Sequence, residues 1–98
     1  MSDIRIQLTE EMAEITWSEL IPHAARDAVI IVNESLSLVD VGVAIALDDK
    51  MKVENWIAEL LVRKPYVEEL NDWQKTLNRK FSTLIVQPYV LICPIAVS

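Results

Sequence analysis

The sequence predicts a small α+β protein, with helices packed on a small, mainly antiparallel sheet. Three observations carry this. Apolar residues recur at helical spacing in three separate stretches: 13–24, 53–60 and 66–77. β-Branched and apolar runs lie between and after them, at 28–32, 39–47 and 81–93. Finally, 98 residues with no Gly/Ser-rich linker, repeat or low-complexity segment leave room for one domain. The expected unit is residues 1–98, with a core at about 8–93 and terminal extensions at 1–7 and 94–98.

The first helix is expected near Thr9, with Glu10 and Glu11 in its first turn, where carboxylates favour the positive helix end. Ala13, Trp17, Leu20 and Ala24 form its apolar stripe. Pro22 removes a backbone donor there and predicts a kink near Leu20–Ile21, or two short helices. Thr16-Trp17-Ser18-Glu19 has the capping-box pattern that a restart would use.

Ala28–Val32 reads as a strand and Asn33-Glu34-Ser35 as a turn. Val39, Val41, Val43, Ile45 and Leu47 then alternate with Asp40, Gly42, Ala44 and Ala46. That period of two predicts a second strand, hairpin-paired with 28–32. A helix over the same residues would carry valine on all sides, which only burial would allow.

Asp48 is expected to cap a second helix, with Val53, Trp56, Ile57 and Leu60 on its apolar stripe. Leu61–Lys64 reads as a short extended piece. Pro65 opens a third helix with Tyr66, Leu70, Trp73 and Leu77 on one face and Asn78 at its end. The apolar stretch Phe81–Cys93 predicts a strand buried on both faces, with a bulge or edge at Pro88. The resulting order is α-β-β-α-(β)-α-β.

Composition excludes several functions. One cysteine, Cys93, allows no internal disulfide and no zinc-thiolate cluster. A single histidine, His23, excludes paired-His metal motifs. With one glycine, Gly42, there is no Gly-rich phosphate loop. No cofactor or metal is expected. A net charge of -6 lacks the basic footprint of a nucleic-acid binder. The charge is uneven: residues 1–49 hold ten acids and two bases, residues 50–98 five and seven. A solvated acidic first helix accounts for this simply; complementary patches between subunits are the sharper reading. The N-terminus lacks a signal-peptide apolar core, and the apolar stretch 83–97 is broken by two prolines and too short to span a membrane. A soluble, cytoplasmic protein is expected.

The ordered residues also carry a resemblance. Leu8-Thr9-Glu10-Glu11 leads to Ile15-Thr16-Trp17, then Leu20, His23 and Arg26. Leu36 through Ala46 follows, then Asp48-Asp49, Val53, Trp56 and the closing Val86-Gln87-Pro88-Tyr89-Val90-Leu91. Over about residues 8–92 the chain resembles the bacterial "domain of unknown function 2288" family, in a cyanobacterial-type form. The resemblance implies a small stand-alone protein and no assigned reaction. Family members usually have tryptophan where this chain has Tyr89, and often glycine where it has Asp27.

Glu19, His23 and Arg26 share a helix face by spacing and could form an acid–base or ligand site. A helix-end cluster favoured by the negative dipole end explains the same residues more simply. Asp48, beside Asp49, could add a carboxylate, although adjacent acids at a helix start are ordinarily caps. Cys93 sits in an apolar run that keeps a thiol protonated. The three tryptophans and two tyrosines are read chiefly as core. The reading is a non-enzymatic binding or protein-interaction module acting as a homodimer. The alternative is a small enzyme or ligand-binding domain with a polar site around His23 and Arg26. The dimer follows from the small-residue face of the expected strand at Gly42, Ala44 and Ala46, and from the apolar tail Pro94-Ile95-Ala96-Val97.

Overall fold

A five-stranded mixed sheet with helices on both faces organises the computed structural model, which describes residues 3–95. Its elements are α1 (Ile4–Glu11), β1 (Ala13–Thr16), α2 (Trp17–Ala25), β2 (Val29–Val32) and α3 (Leu38–Ala46). They continue as α4 (Lys50–Ala58), β3 (Val62–Arg63), α5 (Val67–Gln74), β4 (Lys80–Val86) and β5 (Tyr89–Pro94). The strand order is β1-β4-β5-β2-β3. Only the β2–β5 pair is parallel. The α+β class and the mainly antiparallel sheet stand as expected.

Strand alternation divides the core in two. Val32, Val62, Leu84, Val86 and Leu91 face α1 and α3, with half-buried Trp56 of α4 packed against them. Val29, Ile31, Phe81, Val90 and Ile92 face α2 and α5 on the other side. There Trp17, Trp73 and Phe81 form an aromatic cluster with centroids 5.0–6.1 Å apart, within the range that favours tilted and edge contacts.

The main correction concerns 39–47, which is helix α3 and not a strand. Ser37 caps it, its Oγ accepting from the Val39 amide at 3.2 Å, and Asp40 sits in the first turn. Leu38, Val39, Val41, Gly42 and Ala44 are all buried. Burial from several sides removes the objection to valine all round the helix and overrides β propensity. The hairpin with 28–32 therefore does not form; β2 pairs with β5 and β3 instead.

Other boundaries shift for local reasons. Asp3, not Thr9, caps the first helix, accepting from the Arg5 amide at 2.9 Å, so α1 begins at Ile4. Residues 13–16 leave the expected helix as β1, because β4 offers an edge on which Ile15 aligns with Phe81. A helix does start at Trp17, but Thr16 makes no side-chain cap bond, and α2 runs through Pro22 as one helix instead of splitting near Leu20–Ile21. Asp49, not Asp48, caps α4, its Oδ1 accepting from the Lys52 amide at 3.3 Å. α5 ends at Gln74, short of Leu77 and Asn78. Gln87-Pro88 turns a hairpin between β4 and β5 rather than interrupting one strand. Ala96 and Val97 of the apolar tail lie outside the described residues.

Three helices end alike. After α2, Asp27 (φ 59°) takes the left-handed conformation, and the amides of Asp27 and Ala28 donate to the carbonyls of Ala24 and His23, each at 3.0 Å. Asp48 (φ 57°) repeats this after α3, where Asp48 and Asp49 donate to Ile45 and Ala44. Leu60 (φ 61°) does so after α4, where Leu60 and Leu61 donate to Ile57 and Trp56. This double bond is the Schellman ending, whose left-handed position glycine ordinarily fills.

Candidate functional site

At one end of the sheet β2 and β5 begin and β3 ends. Val29 aligns with Val90 in parallel, and Ile31 with Arg63 in antiparallel. The α2–β2 corner, the β4–β5 turn and the β3–α5 connection therefore converge there. Two adjoining clefts open beside them, and Tyr89 lines both.

The larger cleft, about 460 Å³, lies between α3–α4 and the β2–β3 edge. Its apolar wall is Ile30, Ala44, Ile45, Val53, Ile57 and Tyr89. Asp48, Asp49, Lys50, Glu54, Arg63 and Lys64 supply charge around it. Arg63 is held by both carboxylate oxygens of Glu69, at 2.7 and 3.0 Å, and lies 4.2 Å from the Tyr66 ring centroid. The hydrogen bonds from Arg63 hold the Glu69 carboxyl below the ordinary carboxylate range, and the amide of Tyr66 adds to this. The same pair raises the Arg63 pKa. Lys64 is paired with Asp27.

The smaller cleft, about 330 Å³, contains His23, Arg26, Asp27, Gln87 and Pro88. The Arg26 guanidinium donates to Nδ1 of His23 at 2.6 Å. Because a guanidinium only donates, Nδ1 of His23 is the acceptor in this contact. Both residues lie in the last turn and cap of α2, where the helix dipole favours cations.

The structure thus divides the four residues singled out from the sequence. His23 and Arg26 come together and line the smaller cleft. Asp48 lines the larger one, at the left-handed end of α3. Glu19 is exposed on α2, lines neither cleft and makes no ion pair with His23. Sequence reasoning missed the wall of the larger cleft and the two ion pairs beside it. The available signals were Ile57 and Leu60 on an apolar stripe, and the aromatic at Tyr89. Cys93 lies in neither cleft; burial, with the Glu34 charge second, pushes its thiol up. Among the described residues no three His, Cys, Asp or Glu side chains gather as a metal site, and no helix is long and apolar enough to cross a membrane.

These features define a small α+β protein with helices on both faces of one mixed sheet and paired clefts at a sheet end. The chain belongs to the family described as "Protein of unknown function (DUF2288)", whose model matches residues 3–94. It is similar to PA1075 from Pseudomonas aeruginosa, known from an NMR solution structure. The two are 32% identical, with a TM-score of 0.81 over 99% of this chain and 89% of that one. No curated protein matches the chain.

Proposed function

We propose that the protein is a non-enzymatic binding module whose recognition element is the cleft between α3–α4 and β2–β3. One observation carries this reading: the apolar stripe of α4 is only half covered. Val53 and Trp56 are partly buried, while Ile57 is 50% exposed, and Val53 and Ile57 open onto the cleft. An apolar cleft of this size with a few charged groups around it has the make-up of a small-ligand site. The arrangement of His23 favours binding over catalysis, because its Nδ1 is occupied by a donor and, among the described residues, no carboxylate lies within ion-pair distance of it. The unpaired Cys93 agrees with a reducing, cytoplasmic setting.

The test uses a neutral apolar dye, N-phenyl-1-naphthylamine, whose emission rises on leaving water. Saturable enhancement is expected with the folded protein, weakened about tenfold in Ile57→Ser through loss of apolar contact. Emission no greater than in buffer overturns the reading.

A second copy of the chain is the further part of this proposal. The small-residue strand face expected at Gly42, Ala44 and Ala46 does not form, because these residues lie in α3, where Gly42 and Ala44 are buried and Ala46 is exposed; Ala96 and Val97 of the apolar tail lie outside the described residues. What supports a second copy is the α3–α4 corner, where Leu47 and Met51 are 66% and 77% exposed. Light scattering at micromolar concentration is expected to give twice the chain mass. A monomer mass throughout dilution overturns the homodimer.

A further inference from the structure

We infer that the α3–α4 cleft takes a small lipophilic cation, an ammonium group carried on an apolar body. This rests on the binding reading above and adds the sign of the ligand's charge. Three acids and three bases line the cleft: Asp48, Asp49 and Glu54 against Lys50, Arg63 and Lys64. They are not equally free. Arg63 is engaged by Glu69, and Lys64 by Asp27. Neither Asp48 nor Glu54 has a cationic partner within ion-pair distance among the described residues. Asp49 accepts from the Lys52 amide as a helix cap and likewise has no cationic partner within ion-pair distance. Lys50 thus stands alone against three carboxylates.

The apolar wall makes that imbalance count. Ile30, Ile45, Val53 and Ile57 give an apolar body a seat directly beside the exposed carboxylates, so one ligand can meet both. Tyr89 adds an aromatic ring to the same wall, a side chain that attracts cations through its π face. An anionic head would meet three carboxylates against one free ammonium. A neutral ligand would use the wall and leave the acids solvated.

The experiment titrates the ¹⁵N-labelled full chain with n-octylammonium, n-octanol and octanoate, which share one apolar body. Amide shifts at Val53, Ile57, Lys64 and Tyr89 report the cleft. Octylammonium is expected to bind about tenfold more tightly than octanoate, with octanol between, and to weaken severalfold at about 0.5 M salt. The Asp48→Asn/Glu54→Gln variant is expected to lose most of the octylammonium preference while binding octanol unchanged. Asparagine is chosen because it tolerates the left-handed backbone at position 48 (φ 57°). The variant's octanol arm shows that its cleft is intact; if the variant does not fold, the salt dependence and ligand order on the native chain decide. Octanoate binding as tightly as octylammonium overturns the cation preference and leaves the binding module standing. No shift at these amides with any of the three overturns both.

Discussion

Gly42 of α3 lies against Leu84 of β4, so closely that a Cβ added to the glycine would stand 2.9 Å from Leu84 Cδ2. Leu8 Cδ1 and Val86 Cγ2 would follow at 3.1 and 3.3 Å. The only glycine of the chain therefore sits where α3 packs closely on both α1 and the sheet.

Gly42→Ala sets two effects against each other. Alanine gains about 1 kcal/mol of helix propensity. Overpacking a filled core costs about 1–3 kcal/mol, and both Leu8 and Leu84 are buried. A net loss of about 1 kcal/mol is expected, read as a lower urea midpoint with an unchanged slope. A raised midpoint would show that the leucines shift freely and that the contact does not limit the packing.

This contact also explains what the sequence hid. Val39 to Leu47 alternates with a period of two, which predicts a strand. The competing signal was Ser37-Leu38-Val39-Asp40, a helix-start pattern of hydroxyl cap and first-turn acid. It wins because α3 is enclosed by α1 and the sheet, so valines off the main stripe also find cover. Local patterns do carry α4, α5, β2 and the C-terminal strands. The edge strand β1 was invisible, since Ala13–Thr16 has no strand signature apart from its pairing with β4. At the site, His23 and Arg26 were legible from helical spacing. The larger cleft was not, because Ile30, Val53, Lys64 and Tyr89 meet only through the sheet register and the α3–α4 corner.

Leu60→Gly is expected to stabilise the protein. The left-handed backbone at φ 61° costs a side chain about 1–2 kcal/mol. Glycine returns about 0.5–1 kcal/mol of that through unfolded-chain entropy. At 60% exposure, Leu60 has little packing to lose. A gain of about 0.5–1 kcal/mol in thermal or urea unfolding should result. Asp27→Gly should gain less, because aspartate tolerates this conformation and here pairs with Lys64. The reverse ranking of the two variants would refute the argument from cap strain.

Cys93 should react slowly with a disulfide reagent at neutral pH. Burial raises its thiol pKa, and the Glu34 charge adds to the shift, so little thiolate is present. The rate is expected to rise by at least about tenfold once urea unfolds the chain, restoring an ordinary exposed thiol. Equal rates in native buffer and in urea would place Cys93 in an open, reactive setting.

The Arg63–Glu69 pair should make stability depend on acid in a defined direction. Glu69 has a folded pKa below its unfolded value, chiefly through the hydrogen bonds from Arg63. Such a group contributes stability above the unfolded pKa of about 4.3 and loses it as pH falls through the folded value. The pair is more enclosed than an ordinary surface bridge, with side chains 23% and 29% exposed, and it is bidentate. It also ties β3 to α5, since Arg63 ends β3 and Glu69 lies in the first turn of α5, where its Oε1 also accepts from the Tyr66 amide at 2.9 Å. Glu69→Gln keeps the shape and removes the charge. At neutral pH it is expected to cost about 1 kcal/mol, above the median for exposed pairs because the hydrogen bonds are charge-assisted. Below the folded pKa the native carboxyl is protonated too, so the two unfolding curves should converge as pH is lowered from about 5 toward 3. A gap that stays constant across that range would mean that Glu69 acts through packing and the Tyr66 amide alone, with no contribution from the charge on Arg63.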